Sequence, residues 1–429
     1  MNPPQALYIV FLFALGSCVG SFLNVVVWRL PRVEVVEGDS LFRAFFRSFE
    51  ALSWPPSMCP KCKKPLKWYD NLPVIGWLKL GGRCRFCKEP ISMRYPIIEA
   101  ITGLLFVLYY VMFFMQGHGP CLERMSPDGT PHFIPAEMMI GEHWPIYAID
   151  MMLVSGLLAA SLIDAELFII PPEIPWIMVP FALLEHALFD RPGWPGALNA
   201  SPASAALAVG AMIGLGISLF LRARGIFPVS FVDGGPALEV EKARRQHDDP
   251  DAIEEREYTP REIRAEIRKE ILFLLPPLAL GFVAMVLTLR VPSISHAWAD
   301  VVSHGWISGL LGSVLGMLVG GFVVWLTRIL GSIGFGREAM GMGDVDLMAA
   351  VGAVLGAGPA TVAFFIAPFF GMLLAVYMML ARKGRELPYG PYLSLASAFV
   401  ILFYCPIADY LAEGVTGMGY MLSRLLGGG

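Results

Sequence analysis

Gly341-Met342-Gly343-Asp344 stands where a long apolar run resumes after a brief polar interval. A carboxylate at such a boundary is costly to desolvate, so its presence needs a reason. The two glycines let backbone or ligand approach the Asp closely and permit a sharp turn into the helix that follows. One Asp is a poor acid–base catalyst. Two carboxyls that share a proton can act together, one as base toward water and the other as acid toward a carbonyl. The partner the sequence offers is Leu162-Ile163-Asp164, at the end of another apolar run and ahead of Ile169-Ile170-Pro171-Pro172.

The chain outward from these two sites is 56% apolar and only 16% charged, with mean hydropathy +0.60. That composition predicts an all-α polytopic membrane protein. The net charge of −4 says little about partners, and no Arg-rich or low-complexity tail points to nucleic acid. The N-terminal run lacks a basic flank and continues to Trp28 without a small-residue cleavage site, so it reads as a retained span and not a signal peptide. Leu15-Gly16-Ser17-Cys18 imitates a lipoprotein box, but again no basic flank precedes it.

Apolar segments fall roughly at 6–28, 97–115, 146–163, 173–189, 204–221, 271–289, 305–327, 346–358, 361–380 and 391–411. A span needs about 20 residues, so 346–358 is short and reads as a half-helix begun near Asp344. The expected architecture is therefore eight to ten membrane helices. Loops retained in the cytoplasm collect Lys and Arg. With the N-terminus outside, segments 29–96, 222–270, 328–345 and 381–390 are cytoplasmic and hold 28 of the 32 basic residues. The same orientation places Asp164 and Asp344 at one cytoplasmic boundary. Five regions follow: a first span at 1–28, a cytoplasmic loop at 29–96, spans with the first Asp at 97–221, a charged insert at 222–270, and spans with the Gly-rich motif at 271–429.

The first loop carries Cys59-Pro60-Lys61-Cys62 and Cys84-Arg85-Phe86-Cys87, separated by 21 residues. Four thiolates at this spacing predict a closed, tetrahedral, structural Zn2+ site of the zinc-ribbon type. A disulfide pair is the alternative, disfavoured on the reducing side of a membrane. Cys18, Cys121 and Cys405 read as apolar fillers. Leu41 to Phe49 interleaves aromatic and basic residues, as an interfacial helix or an ordinary packed one would. In the insert, Asp248-Asp249-Pro250-Asp251 belongs to a solvated, mixed-charge stretch. Thr259-Pro260-Arg261-Glu262 ends it with a capping box that starts a helix running into the span at 271. Gly312, Gly316 and Gly320, with Gly210 and Gly214, have the spacing of close helix packing.

For Asp164 and Asp344 taken singly, a helix cap in contact with water is the plain alternative. Taken together on one membrane face, a catalytic pair is the better reading. Glu166, Glu173 and Asp346 are nearby competitors, while Asp150 and Glu185 fall near outer ends of spans and read as solvated. Histidine offers no rival, since most His residues lie in or near external segments, and neither H-E-x-x-H nor G-x-S-x-G nor G-x-G-x-x-G opening a βαβ unit occurs.

These pieces, with Gly20-Ser21-Phe22-Leu23-Asn24-Val25-Val26, Arg29-Leu30-Pro31, Tyr69-Asp70-Asn71-Leu72-Pro73, Met93-Arg94-Tyr95-Pro96-Ile97-Ile98-Glu99 and Leu387-Pro388-Tyr389-Gly390-Pro391-Tyr392, resemble the type IV prepilin peptidases along nearly the whole chain. That family combines leader peptidase and N-methyltransferase activities. The resemblance implies that Asp164 and Asp344 are the catalytic pair of a G-x-G-D membrane aspartic protease in a bacterial inner membrane. It also implies that prepilins or pseudopilins of type IV pilus and type II secretion systems are the substrates. The first loop would serve transfer of a methyl group from S-adenosylmethionine to the new N-terminus. Glu99 and the Asp70-Asn71 pair are candidates for that surface by family position. The family often has Lys where this chain has Asp346, and a Pro-Asp pair where it has Pro172-Glu173; the insert 222–270 is unusual as well. A presenilin-like protease would also use G-x-G-D, but its Pro-Ala-Leu motif is absent near the last span and it lacks the cysteine loop. An ion-coupled transporter would use both aspartates as carriers and show inverted repeats. A non-catalytic assembly factor would use only the cysteine loop. The oligomeric state and the lipid contacts beyond the spans are not written in the sequence.

Overall fold

A computed structural model describes residues 3–33, 41–125, 131–191, 193–231, 259–380 and 388–426. Thirteen described α-helices carry the fold. They are α1 (Pro3–Arg29), α2 (Leu41–Ser53), α3 (Ile75–Lys79), α4 (Arg94–Phe114), α5 (Ile140–Leu167), α6 (Glu173–Phe189), α7 (Pro202–Ala223), α8 (Pro260–Arg290), α9 (Pro292–Val302), α10 (Gly305–Phe335), α11 (Met342–Leu355), α12 (Ala357–Leu380) and α13 (Gly390–Leu426). Eight of them, α1, α4, α5, α7, α8, α10, α12 and α13, contain stretches long and apolar enough to cross a membrane. The protein is an all-α integral membrane protein. Many large apolar side chains remain exposed on these helices, among them Phe11, Leu104, Phe282 and Phe369, as a lipid-facing surface requires.

Two apolar segments of the sequence fall outside those eight. Segment 173–189 forms α6, of 17 residues. Segment 346–358 yields α11, which has 14 residues and at a rise of 1.5 Å per residue is only about 21 Å long. It is the most enclosed helix, with Leu347, Met348, Ala350, Val351 and Ala353 fully buried, and is gripped by α6, α10 and α12. A helix this apolar on every side belongs to a core, not to the lipid. The half-helix expectation is therefore met.

The glycine stripe explains how α11 is gripped. A Cβ on Gly316 of α10 would fall 2.0 Å from the Gly352 carbonyl oxygen of α11, and the converse distance for Gly352 is also 2.0 Å. The two backbones touch, which side chains at those positions would forbid. Gly210 and Gly214 let α7 approach α8 in the same way. The capping box is formed as expected: Thr259 and Glu262 bond each other's backbone amides, and α8 runs on through the span. The interior of the insert, 232–258, lies outside the described residues, and so does the acidic stretch at Asp248.

Between α4 and α5 the chain adds a two-stranded hairpin, β1 (Cys121–Met125) and β2 (Pro131–Pro135). Two expectations are corrected. Cys121 and Cys405 are not fillers but a disulfide joining β1 to α13 across 284 residues. Asp150 and Glu185 are not solvated, being 3% and 7% exposed. Hydropathy marks where a span ends along the chain, whereas the inward faces of α5 and α6 set whether a carboxylate meets water.

Candidate active site and cysteine cluster

α5 and α11 deliver the two aspartates. Asp164 lies three residues before the end of α5, which Phe168 closes with left-handed backbone (φ 57°). Asp344 is the third residue of α11, after an extended Gly341. Both are buried, 6% and 8% exposed, and they lie within electrostatic range of each other. The structure thus brings together the pair chosen from the sequence, 180 positions apart.

A third element completes the site. The Gly390 amide at the start of α13 donates to Asp164 Oδ2 at 3.0 Å. A Cβ on Gly390 would fall 2.6 Å from that oxygen and 3.0 Å from Ile170 Cδ1, while one on Gly343 would fall 2.8 Å from Ile170 Cβ. Ile170 is therefore wedged between the glycine that precedes Asp344 and the glycine that covers Asp164. Tyr389 lies within electrostatic range of Asp344, and Tyr392 of Asp164. The sequence offered Tyr389-Gly390-Pro391-Tyr392 as a motif without a place; its signal was a glycine and proline at the start of a helix.

Arg328 and Glu270 were missed by sequence reasoning altogether. Each is 2% exposed. Arg328 Nε donates to Glu270 Oε1 at 2.9 Å, and its Nη1 donates to the Met340 carbonyl at 2.9 Å and pairs with Glu338 at 2.8 Å. This buried network ties the loop entering the Gly341 motif to α8. A charge inside a helix run reads as surface in a sequence, and only the packing shows it enclosed.

The competing acids are engaged elsewhere. Glu166 pairs with Arg94 of α4, and Glu173 accepts a hydrogen bond from Ser48 of α2 at 2.8 Å. Asp346 is half-buried and bonded to the Trp176 side chain. The first two contacts tie α2 and α4, which flank the cysteine loop, to the ends of α5 and α6 beside the aspartate pair.

The loop itself is built from two matching turns. In Cys59 to Pro65 and again in Cys84 to Pro90, the residue after the second cysteine, Lys63 or Lys88, has left-handed backbone and returns its amide to the first cysteine's carbonyl. The turns close as bridges between Met58 and Pro65 and between Arg83 and Pro90. All four cysteines are free, and their sulfurs lie within 4.8 Å of one another. Cys59 to Cys87 is 3.7 Å and Cys62 to Cys84 is 4.0 Å. A zinc ion with bonds of about 2.3 Å needs tetrahedral edges of about 3.8 Å, so the sulfurs fit that metal.

Between this loop and α1 and α4 opens a cavity of about 860 Å³, lined by Ser21, Asn24, Asn71, Trp77 and Glu99 among others. Gly20 lies against the α4 backbone at Glu99, Ser21 bonds the Glu99 side chain, and Asn24 donates to the Tyr95 carbonyl at 3.2 Å. The Gly20 to Val26 motif thus joins α1 to α4. Glu99 also accepts from the Val74 amide at 2.7 Å. Asp70, in contrast, is committed to Arg85 through both carboxylate oxygens, at 2.7 and 2.5 Å. That hydrogen-bonded guanidinium holds the Asp70 carboxyl below its ordinary range. Asp70 therefore reads as a brace for the second cysteine turn.

Residues 14–113 match the family model described as the bacterial peptidase A24 N-terminal domain, and residues 272–376 match that of the type IV leader peptidase family. A prepilin leader peptidase/N-methyltransferase of Myxococcus xanthus is 39% identical over 161 residues, covering 36% of this chain and 39% of that protein. Enzymes of the same description from Klebsiella pneumoniae and Aeromonas hydrophila are 48% identical over 99 residues and 44% over 107. Each of those two matches covers 23% of this chain, and 39% and 36% of the relative. The chain thus spans about two fifths of the length of the curated relatives it matches. No solved structure matches it.

Proposed function

We propose, from the two matched regions standing in order along the chain, that it belongs to the type IV leader peptidase family and is a membrane aspartic endopeptidase and N-methyltransferase acting on prepilins or pseudopilins. The observation that carries this reading is the convergence of Asp164, Asp344 and the Gly390 amide at one end of the bundle. We place that end at the cytoplasmic face of a bacterial inner membrane, with the N-terminus outside. The basic loops favour this, and so do the thiols. The four clustered cysteines, all free, lie on the side assigned to the cytoplasm, whereas the Cys121–Cys405 disulfide lies 15 residues beyond Gly390 along α13, about 22 Å away. A prepilin's basic leader stays in the cytoplasm and its apolar helix in the bilayer, so its scissile bond reaches the depth of the pair.

In the proposed mechanism the two aspartates share one proton. The ionised carboxylate takes a proton from water, the water oxygen bonds the scissile carbonyl carbon, and the protonated carboxyl gives its proton to the carbonyl oxygen. Collapse of the resulting diol breaks the C–N bond: the leaving amine takes the proton gained from water, and a diol hydroxyl returns its proton to the other carboxylate as the new carbonyl forms, which restores the shared proton. Burial keeps bulk water from competing for these protons. The four cysteines would hold Zn2+, which supplies no chemistry to substrate but fixes the loop, since four protein ligands leave no open position. S-adenosylmethionine would supply the methyl group, and in the cavity beside α1 and α4 Glu99 and Asn71 would bind it.

Mass spectrometry of a co-expressed prepilin tests the whole reading: a leaderless, N-methylated product is expected with this enzyme and an intact leader without it. An intact leader in both, across several prepilins, returns the chain to the transporter or assembly-factor readings. Gly390 gives a sharper geometric test. A methyl at Gly390 must displace the Asp164 carboxyl, and misplacing a catalytic group by about 1 Å costs about 10²-fold in rate. Gly390→Ala should slow cleavage by about that factor while leaving methylation of pre-cleaved pilin near wild type. Wild-type cleavage by this variant would remove Gly390 from the site.

A further inference from the structure

At the opposite end of α6 from the aspartate pair lies a second group of ionisable side chains that the proposed chemistry does not use. Glu185, His186 and Asp190 are 7%, 4% and 5% exposed, and their candidate ligand atoms all lie within 4.8 Å of one another. Glu185 is 12 residues from the start of α6, about 18 Å along the helix. Asp150 of α5, also buried, is within electrostatic range of Glu185 and His186. The positive partner facing Glu185 and Asp190 is His186 itself.

The imidazole's hydrogen bonds define what stands between these groups. His186 Nε2 lies 3.0 Å from the Val354 carbonyl oxygen of α11. A carbonyl can only accept, so Nε2 carries the hydrogen and a neutral ring has its lone pair on Nδ1. That nitrogen faces Asp190 Oδ1 at 3.1 Å and Oδ2 at 3.0 Å, and Glu185 Oε2 at 3.4 Å. Ionised carboxylates offer only acceptors. A lone pair pointed at three such oxygens needs something positive between them. A proton on Nδ1 would pair with Asp190, whose Oδ2 already accepts from the Leu198 amide at 2.8 Å. It would leave Glu185 unserved, and both oxygens of Glu185 are buried without a hydrogen-bond partner. A carboxylate so placed is costly unless it takes a proton or a cation reaches it, and a cation serves Glu185 and Asp190 together.

We propose that Glu185, His186 Nδ1 and Asp190 form a buried binding site for a divalent transition-metal ion of the Zn2+ class. Metal bonds of about 2.0–2.2 Å at near-tetrahedral or octahedral angles set neighbouring donors about 3.0–3.6 Å apart, and the separations from His186 Nδ1 are 3.0 Å and 3.4 Å. A backbone carbonyl on the far ring nitrogen is the usual orienting contact of a metal-bound histidine. A dication balances two carboxylates and a neutral imidazole. The ion would pin α6 to α11 through Val354, under α10, where a Cβ on Gly309 would come within 2.9 Å of Asp190 Oδ2.

The test is metal content and ligand type in the full-length detergent-purified protein, produced with added zinc. X-ray absorption at the zinc edge should show a nitrogen/oxygen shell beside any sulfur shell from the cysteines. Elemental analysis should fall by one zinc per chain in Glu185→Gln, with the sulfur shell unchanged; Cys59→Ser should do the reverse. A sulfur-only shell in the wild type, with zinc content unaltered by Glu185→Gln, would overturn the site and leave a protonated His186 in its place. Should Glu185→Gln fail to fold, Co2+ loading of the wild type decides. Bound Co2+ in excess of the thiolate charge-transfer band supports the site, and Co2+ accounted for by that band alone overturns it. Zinc held adventitiously on the surface would survive Glu185→Gln and counts against the site.

Discussion

Asp344→Asn is expected to abolish leader cleavage, lowering the rate by about 10³-fold or more while the protein stays folded. Asp164→Asn should do the same. Asn has nearly the shape of Asp and keeps a carbonyl oxygen, so at Asp164 it can still accept from the Gly390 amide that now bonds Oδ2 at 3.0 Å. What it loses is the capacity to take or give a proton. Because the pair works as one unit, the double variant should be no slower than either single one. The readout is the processed fraction of a co-expressed prepilin by mass spectrometry, with thermal unfolding in detergent as the control on folding. Full processing by either single variant would sink the dyad assignment. Equal loss of methylation on pre-cleaved pilin would show that the damage is structural, because the cavity at Glu99 lies against α1 and α4 and not at the aspartate pair.

The pair was legible because two independent signals coincide. The boundary cost of a carboxylate marks each Asp, and the clustering of Lys and Arg places both at one face. The cysteine cluster was legible for a different reason: its ligands are local in sequence, and two turns of the same design bring them together. What escaped reading depends on long-range packing. Gly390 is 226 residues from Asp164 and Cys405 is 284 from Cys121, and no periodicity links either pair. Arg328 and Glu270 sit in runs where a charge is ordinarily taken for a solvated face, and only the approach of α8 to α10 encloses them. Glu185 and Asp150 failed in the same way, since hydropathy locates a span along the chain but not the direction in which its polar residues point. The short α11 was foreseen from its length; its enclosure by α6, α10 and α12 follows from glycines whose purpose becomes visible once the backbones touch.

Cys59→Ser carries the second large expectation, and it separates the two halves of the proposed enzyme. Cys59 is 7% exposed, and its sulfur stands 3.7 Å from that of Cys87. Its amide and carbonyl also close the first turn, to Lys64 and from Lys63. A serine oxygen is too hard and too short to replace a thiolate at zinc, and metal binding is the folding energy of so small a loop. The expected result is loss of the sulfur-bound zinc and release of the loop to proteolysis. Methylation should fall by about 10²-fold or more, within the range that loss of positioning produces. Cleavage should fall less, because Asp164 and Asp344 are carried by α5 and α11 and gain nothing directly from the metal. It should not escape entirely: Arg94 with Glu166, and Ser48 with Glu173, fasten the loop's flanks to the ends of α5 and α6. A substitution that spares those flanks while emptying the cluster therefore asks whether the loop is a module for methyl transfer or part of the peptidase. Parallel loss of both activities would decide for the latter. Retained methylation without zinc would show that the loop keeps its shape without the metal.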